Sequence, residues 1–240
     1  MNCQLRRAQE RGTADHGWLK ANFSFSFANY FNPTNIQFGM LRVLNDDTIG
    51  AGMGFGTHPH DNMEIITIPL AGGLRHRDSM GNEKVVSYGE VQVMSAGTGI
   101  QHSEMNASST EMAKTLQIWV FPNQQNVTPR YDQKAFDLES QQNSWITVIS
   151  PNTQPAEGSI WIYQDCFFSM GDFEANQSSN YQTKIAGNGL YLFVIEGEVL
   201  LNDLKLSKRD AAEITDASTI EITTTAAATL LLIEVPMHHN

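Results

Sequence analysis

The sequence predicts an all-β protein built as two successive modules. Short runs of strand length recur along most of the 240 residues, each closed by Gly, Pro, Asn or Asp. Helical periodicity hardly appears. The pattern also restarts: the apolar run ending in Leu70-Ala71-Gly72 is echoed, about half a chain length later, by the run ending in Ile195-Glu196-Gly197. A strand, a glycine turn and a return strand at both places suggest a diverged duplication. The turn at Tyr88-Gly89-Glu90 has a matching echo at Arg209-Asp210. The expected modules are residues 1–132 and 133–240.

The elements follow in order. In residues 23–31, Phe23, Phe25 and Phe27 alternate with serines, the signature of a half-buried strand. Asn32-Pro33-Thr34-Asn35 is a turn. A strand is expected from Phe38 to Leu44, broken by Asn45-Asp46-Asp47. The glycine-rich run 50–56 lacks the lysine and following helix of a phosphate loop and reads as a loop over the mouth of a barrel. Met63 to Leu70 is a strand. Arg75 to Asp78 leads into the Ser79-Met80-Gly81-Asn82 turn of a hairpin. Further strands fall at 85–86, 91–94 and 115–121. Residues 122–144 are polar and read as the connector. The second module holds strands at 145–149, 159–163, 167–173, 189–203, 219–225 and 229–235.

Composition narrows the function. Basic residues number 15 and acidic ones 26, a net charge of −11 that disfavours a nucleic-acid backbone as partner. No apolar run reaches the roughly 18 residues of a membrane span. The first residues lack the apolar core of a secretory signal, so cytoplasmic residence is expected; separately, a monomer is expected. Cys3 and Cys166, the only cysteines, are too far apart in sequence for a thiolate zinc pattern and are expected to be free thiols. No GxSxG elbow is present, which argues against that hydrolase route.

Three of the seven histidines fall in two clusters, His58-Pro59-His60 and His102-Ser103-Glu104. Alternate residues of a strand share a face, so each pair can present both side chains to one ion. If the two strands are neighbours, four ligand-type side chains converge on a mononuclear metal site. Imidazoles with a carboxylate suit Fe, Mn, Ni, Cu or Zn. Four donors leave up to two octahedral positions open, as a working site requires. Fe(II) is expected first, then Mn or Ni. Glu64 shares strand parity with His58 and His60 and competes with Glu104 as the carboxylate, unless it orients a histidine from behind. His76 has no companion and is expected on the surface or barrel rim. Arg42 and Arg75 read equally as contacts to a polar substrate or as paired surface residues. Met53, Phe55, Met63, Met94 and Met105 suggest an apolar cavity around the site, though most of them read as barrel core. No histidine lies between His102 and His238, so the second module carries no equivalent set; His238 and His239 read as a solvated tail.

Residues 58–82, HPHDNMEIITIPLAGGLRHRDSMGN, and residues 95–106, SAGTGIQHSEMN, together resemble the pirin family, two-barrel members of the cupin superfamily. Residues 16–33, HGWLKANFSFSFANYFNP, are similar to the same family. The likeness is strong over residues 5–132 and is one of fold beyond them. It implies two antiparallel jelly-roll barrels, a bicupin. The first cupin motif maps onto Gly52, His58, His60, Glu64 and Gly72, and the second onto Gly89, Gly99, His102 and Asn106. Gly97 replaces the usual proline, and the gap after Gly89 is long; both departures are pirin-like. In ordinary cupins the carboxylate ligand would be Glu64. The pirin pattern instead implies His58, His60, His102 and Glu104 as metal ligands, with Glu64 outside the set and supporting it. Some bacterial relatives are quercetin 2,3-dioxygenases. That likeness implies a small aromatic substrate, a flavonol bound through its 3-hydroxyl and opened by dioxygen, with Glu104 as proton acceptor. Other relatives imply a non-enzymatic role, binding a transcription factor or metabolic enzyme.

Overall fold

The computed structural model describes residues 1–238; His239 lies outside them. Twelve strands come first: β1 (Asn2–Arg6), β2 (Gly12–Asp15), β3 (Leu19–Phe23), β4 (Leu41–Ile49), β5 (Gly54–His60), β6 (Glu64–Ala71), β7 (Gly73–Asp78), β8 (Glu83–Ser87), β9 (Glu90–Ser95), β10 (Ile100–Asn106), β11 (Ala113–Val120) and β12 (Arg130–Ala135). Eight more follow: β13 (Ile146–Pro151), β14 (Ile160–Ile162), β15 (Phe167–Phe173), β16 (Ser178–Gln182), β17 (Gly189–Leu201), β18 (Leu204–Ser207), β19 (Ala211–Thr215) and β20 (Thr219–Val235). Two single-turn 3₁₀ helices, Ala8–Glu10 and Glu139–Gln141, are the only helical segments among the described residues. None is long and apolar enough to cross a membrane.

The first barrel closes from two sheets. One runs β12-β9-β6-β11-β4-β3-β2, the other β5-β10-β7-β8. The second half is one sheet, β1-β19-β17-β20-β15-β13-β14, with β16 on β20 and β18 on β17. The pairings are antiparallel except β13 with β14. β17 and β20 pair along most of their length, with register shifts on either side of Glu196 and after Glu198. Such irregularities bend a strand, and here the sheet curls around its own core.

The cores follow from strand parity. On β17, Leu190, Leu192 and Val194 fill the second barrel, whereas Tyr191, Phe193 and Ile195 point into a core between the two halves. On β6, Ile66 and Ile68 join that shared core while Ile65 faces into the first barrel. Leu116, Ile118 and Val120 of β11 join it as well. Strands apolar on both faces are thus buried on both faces, and the two barrels share one hydrophobic seam. A buried ionic knot crosses it. Asp46 accepts from Arg209 Nε at 2.9 Å and lies 3.4 Å from Arg11 Nη1. Arg209 also donates to the Ile195 carbonyl.

Several expectations need correction. The alternating stretch 23–31 leaves the strand after Phe23: Ser24 and Phe25 stay buried, but the chain folds into a loop whose carbonyls at Ser26 and Ile36 accept from Arg42. Alternation was mimicked by a loop packing its aromatics inward. Asn45, Asp46 and Asp47 do not break a strand; they lie buried within β4, where polar side chains serve the barrel interior and the seam. The connector contains β12, which pairs with β9 in the first barrel. At the other end β1 pairs with β19 in the second sheet, so the N-terminus crosses over. Gly197 is no turn: β17 runs on to Leu201, and Gly197 sits at positive φ at its bend. Arg209 and Gly89 both take positive φ before a strand, a matching pair of turns.

Candidate metal centre and its cavity

β10 lies between β5 and β7, and its burial alternates so that His102 and Glu104 face inward. Register sets His102 opposite His58 and Ile100 opposite His60. Close contact of β5 with β10 needs Gly54, where a Cβ would stand 2.2 Å from the Glu104 carbonyl oxygen. The corner that aims β10 needs Gly97, at φ 50° and with a Cβ position 2.0 Å from the Val127 carbonyl oxygen. A proline, with φ held near −65°, does not fit that corner.

The three histidines meet. Ring centroids are 4.9 Å apart for His58–His60, 4.5 Å for His58–His102 and 4.9 Å for His60–His102. One ring nitrogen from each lies within 4.8 Å of the others. His58 Nδ1 is 2.8 Å from the Gly56 carbonyl. It therefore donates there, leaving Nε2 as a lone pair. Both nitrogens of the buried His102 ring lack a protein partner, which is costly unless something else engages them. Burial and neighbouring imidazoles push His102 down to about 3, and burial pushes His60 down to about 4. Neutral imidazoles with free lone pairs fit a divalent transition metal.

Glu104 is fully inside. Gln117 Nε2 donates to its Oε2 at 2.6 Å, and the Thr67 hydroxyl lies 3.0 Å from its Oε1. Burial raises its carboxyl to about 7. By mutual distance Glu104 groups with His102 and His76 rather than with His58 and His60. The register shift between His102 and Glu104 on the β5 side accompanies this offset.

His76 is not at a rim. It is buried opposite Glu104 on β7, with its ring 5.4 Å from His102 and 4.7 Å from Tyr131. Nε2 donates to Asp78 Oδ2 at 3.0 Å, leaving Nδ1 buried and unpartnered. The pair His76-x-Asp78 at strand spacing was the signal for this; a lone histidine in an exposed-looking hairpin hid it.

Glu64 is also displaced from its expected role. Asn62, at φ 43°, resets strand parity between His60 and Glu64. The Glu64 carboxylate consequently turns to the seam, accepting from Ser95 Oγ at 2.7 Å and from the Tyr163 backbone. It does not orient a histidine. Burial lifts it to about 7. Arg75 stays exposed, Arg42 clamps the loop, Met94 is core and Met53 is exposed, whereas Phe55 faces the site. Cys166 is buried and Cys3 partly so, both free. His238 is exposed.

A cavity of about 470 Å³ opens beside the histidines. Trp18, Phe23, Phe27, Phe55 and Trp119 form its walls, and His58, His60, Glu104, Gln117, Asn45 and Asp47 supply its polar groups. Its size and mostly apolar lining are those of a small-molecule site. Of these walls, Phe23 and Phe27 were visible in the sequence only as a strand pattern and Trp119 as part of a strand, whereas Phe55 was among the residues suggesting a cavity.

The comparisons agree with this architecture. Residues 4–120 match the family model described as pirin, and residues 147–235 match the quercetinase C-terminal cupin domain. A quercetin 2,3-dioxygenase of Escherichia coli strain K12 is 44% identical over 232 residues, covering 97% of this chain and 98% of that protein. A pirin-like protein of Caulobacter vibrioides is 38% identical over 223 residues, 93% of this chain and 95% of that one. The crystal structure of a bacterial pirin from Escherichia coli in complex with nickel(II) superimposes with TM-score 0.92 at 42% identity, covering 98% and 99% of the two chains. The sequence likeness thus runs through the second half rather than fading to fold alone. With both barrels matched, the chain belongs to the pirin family as a bicupin.

Proposed function

We propose that this protein is a metal-dependent dioxygenase that opens the ring of a flavonol-type aromatic substrate. The observation that carries the reading is the meeting of three lone-pair-bearing imidazoles at the side of an aromatic-walled cavity. The naming of a 44% identical relative as a quercetin 2,3-dioxygenase supports it. His58, His60, His102 and Glu104 are the proposed ligands of one divalent metal, Fe(II) first, with Mn, Ni, Cu or Zn also suited to the donors. The nickel complex of the related pirin supports this class of ion. When bound, the metal supplies Lewis acidity towards a substrate hydroxyl and redox chemistry with dioxygen.

The chain's own groups do the rest. Trp18 and Phe55, packed edge-to-face on each other, and Trp119 give a planar substrate apolar walls and exclude water. The Gly56 carbonyl holds the His58 tautomer, and Gln117 and Thr67 hold the Glu104 carboxylate in place. A Glu104 carboxylate oxygen accepts the proton of the substrate hydroxyl. In this reading residues 1–132, apart from β1, form the working module, and 133–240, joined by β1, its support. The test is anaerobic reconstitution with Fe, Mn, Ni, Cu or Zn, followed by admission of air. Metal-dependent loss of quercetin with formation of carbon monoxide is expected; no turnover across a flavonol panel with any of these metals would overturn the proposal.

A further inference from the structure

Two polar side chains in the cavity have no role in holding the histidines or Glu104. Asn45 and Asp47 stand two residues apart on β4, so both face the barrel interior. They are 3% and 4% exposed, and Oδ1 of each is buried without a partner. Both line the same cavity as His58, His60 and Glu104. On β3 their neighbours are apolar, Ala21 beside Asp47 and Phe23 beside Asn45; on β11 Thr115 stands beside Asp47, its hydroxyl directed to the Ile68 and Leu116 carbonyls. On the other side Gln117 of β11 pairs with Asn45, and Gln117 in turn holds Glu104. The cavity therefore has a polar strip leading from Glu104 through Gln117 to two orphaned oxygens, all set in aromatic walls. Leaving two such acceptors buried and unpaired is costly. A site with unpaired buried acceptors discriminates strongly for a ligand carrying the matching donor.

We infer that Asn45 and Asp47 form a hydroxyl-recognition pole, accepting hydrogen bonds from phenolic hydroxyls of the substrate's rings other than the hydroxyl that engages the metal. This rests on the proposed flavonol reading and deepens it: the preferred substrate is a polyhydroxylated flavonol, and the selectivity resides on β4, not in the metal ligands. Burial, and after it the neighbouring Asp46 and Glu104 carboxylates, push the Asp47 carboxyl up to about 8.

The test compares quercetin with unsubstituted 3-hydroxyflavone, which keeps the metal-engaging hydroxyl and lacks the others. Binding is measured without turnover, by quenching of tryptophan fluorescence under anaerobic conditions on metal-loaded protein. The wild type is expected to bind quercetin about tenfold more tightly than 3-hydroxyflavone, the equivalent of one good hydrogen bond. Asp47→Leu and Asn45→Leu should each narrow that gap to about twofold or less with 3-hydroxyflavone affinity retained, and Asp47→Asn, which keeps an acceptor, should preserve most of it. Absence of a gap in the wild type overturns the inference, and this arm needs no variant to fold. So does an unchanged gap in an Asp47→Leu protein that still binds metal. If the gap is present but no flavonol is turned over, the dioxygenase reading fails and the recognition pole stands; if flavonols are turned over without a gap, only the pole fails.

Discussion

Glu104 carries the sharpest expectations at the scale of single residues. As the proposed carboxylate ligand it cannot be replaced by a neutral amide without loss of charge at the ion, although glutamine keeps its contacts to Thr67 and Gln117. Metal analysis of purified Glu104→Gln and His102→Ala should show at least a ~10-fold fall in bound metal, and Gln117→Leu, which removes the donor to Glu104 and the acceptor for Thr67, a weaker metal affinity by about 10- to 100-fold. Glu64→Gln should keep its metal. If Glu64→Gln loses metal while Glu104→Gln retains it, the carboxylate has been assigned wrongly. Glu64 makes a separate prediction about pH. Its folded pKa, about 7 against an ordinary 4.5 because of burial, lies above the unfolded value. The fold therefore favours the protonated acid. That contribution is complete below pH 4.5 and is lost as pH rises through 7, by on the order of 3 kcal/mol. Denaturant titrations from pH 4 to 8 should show wild-type stability falling relative to Glu64→Gln across this window; parallel curves would refute the assignment.

At the scale of elements, β10 is the organising strand, since it pairs with β5 on one side and β7 on the other and so collects His58, His102, Glu104 and His76. β1 is the element placed least as expected. Five residue pairs join it to β19, and Arg6 forks onto Glu213 at 3.0 and 2.9 Å. Arg7 bonds Asp210 at 2.8 Å. Removing residues 1–7 exposes the β19 edge, an aggregation hazard. The truncated protein should unfold at lower denaturant and be aggregation-prone, while its metal content per folded molecule stays near one. Loss of metal in a folded truncation would show that β1 acts on the site itself.

The whole molecule is held by the seam between the barrels. Asp46, Arg11 and Arg209 are all largely buried there, and burial lowers the Arg11 pKa against the pull of Asp46. Breaking a buried ion pair from one side leaves charge stranded, at a cost of about 3–5 kcal/mol. Asp46→Ala should therefore lower unfolding free energy by that order, more than Arg77→Ala, whose partner Glu83 is exposed. Phe193→Ala empties a fully buried site in the same seam and should cost about 3–5 kcal/mol. Both are measured by equilibrium denaturation; a cost below ~1 kcal/mol for Asp46→Ala would mean the knot is hydrated. Cys166, at the seam, should react with a thiol reagent only on global unfolding, since burial raises its pKa well above the ordinary value.

Strand parity is local information, and the sequence by itself determined whatever parity controls. That covers the all-β class, the pairing of His58 with His60 and of His102 with Glu104, and the confinement of the site to the first barrel, since no histidine occurs between His102 and His238. Parity survives only until the next turn or bulge. Asn62 resets it, which is why Glu64 looked like a neighbour of the histidines and faces the seam instead. Register between strands distant in sequence is not written in either strand alone. Only the tertiary structure could set His102 opposite His58, bring His76 beneath them, carry β1 into the far sheet, and turn the aromatics of residues 18–27 and the buried oxygens of Asn45 and Asp47 into walls of one cavity.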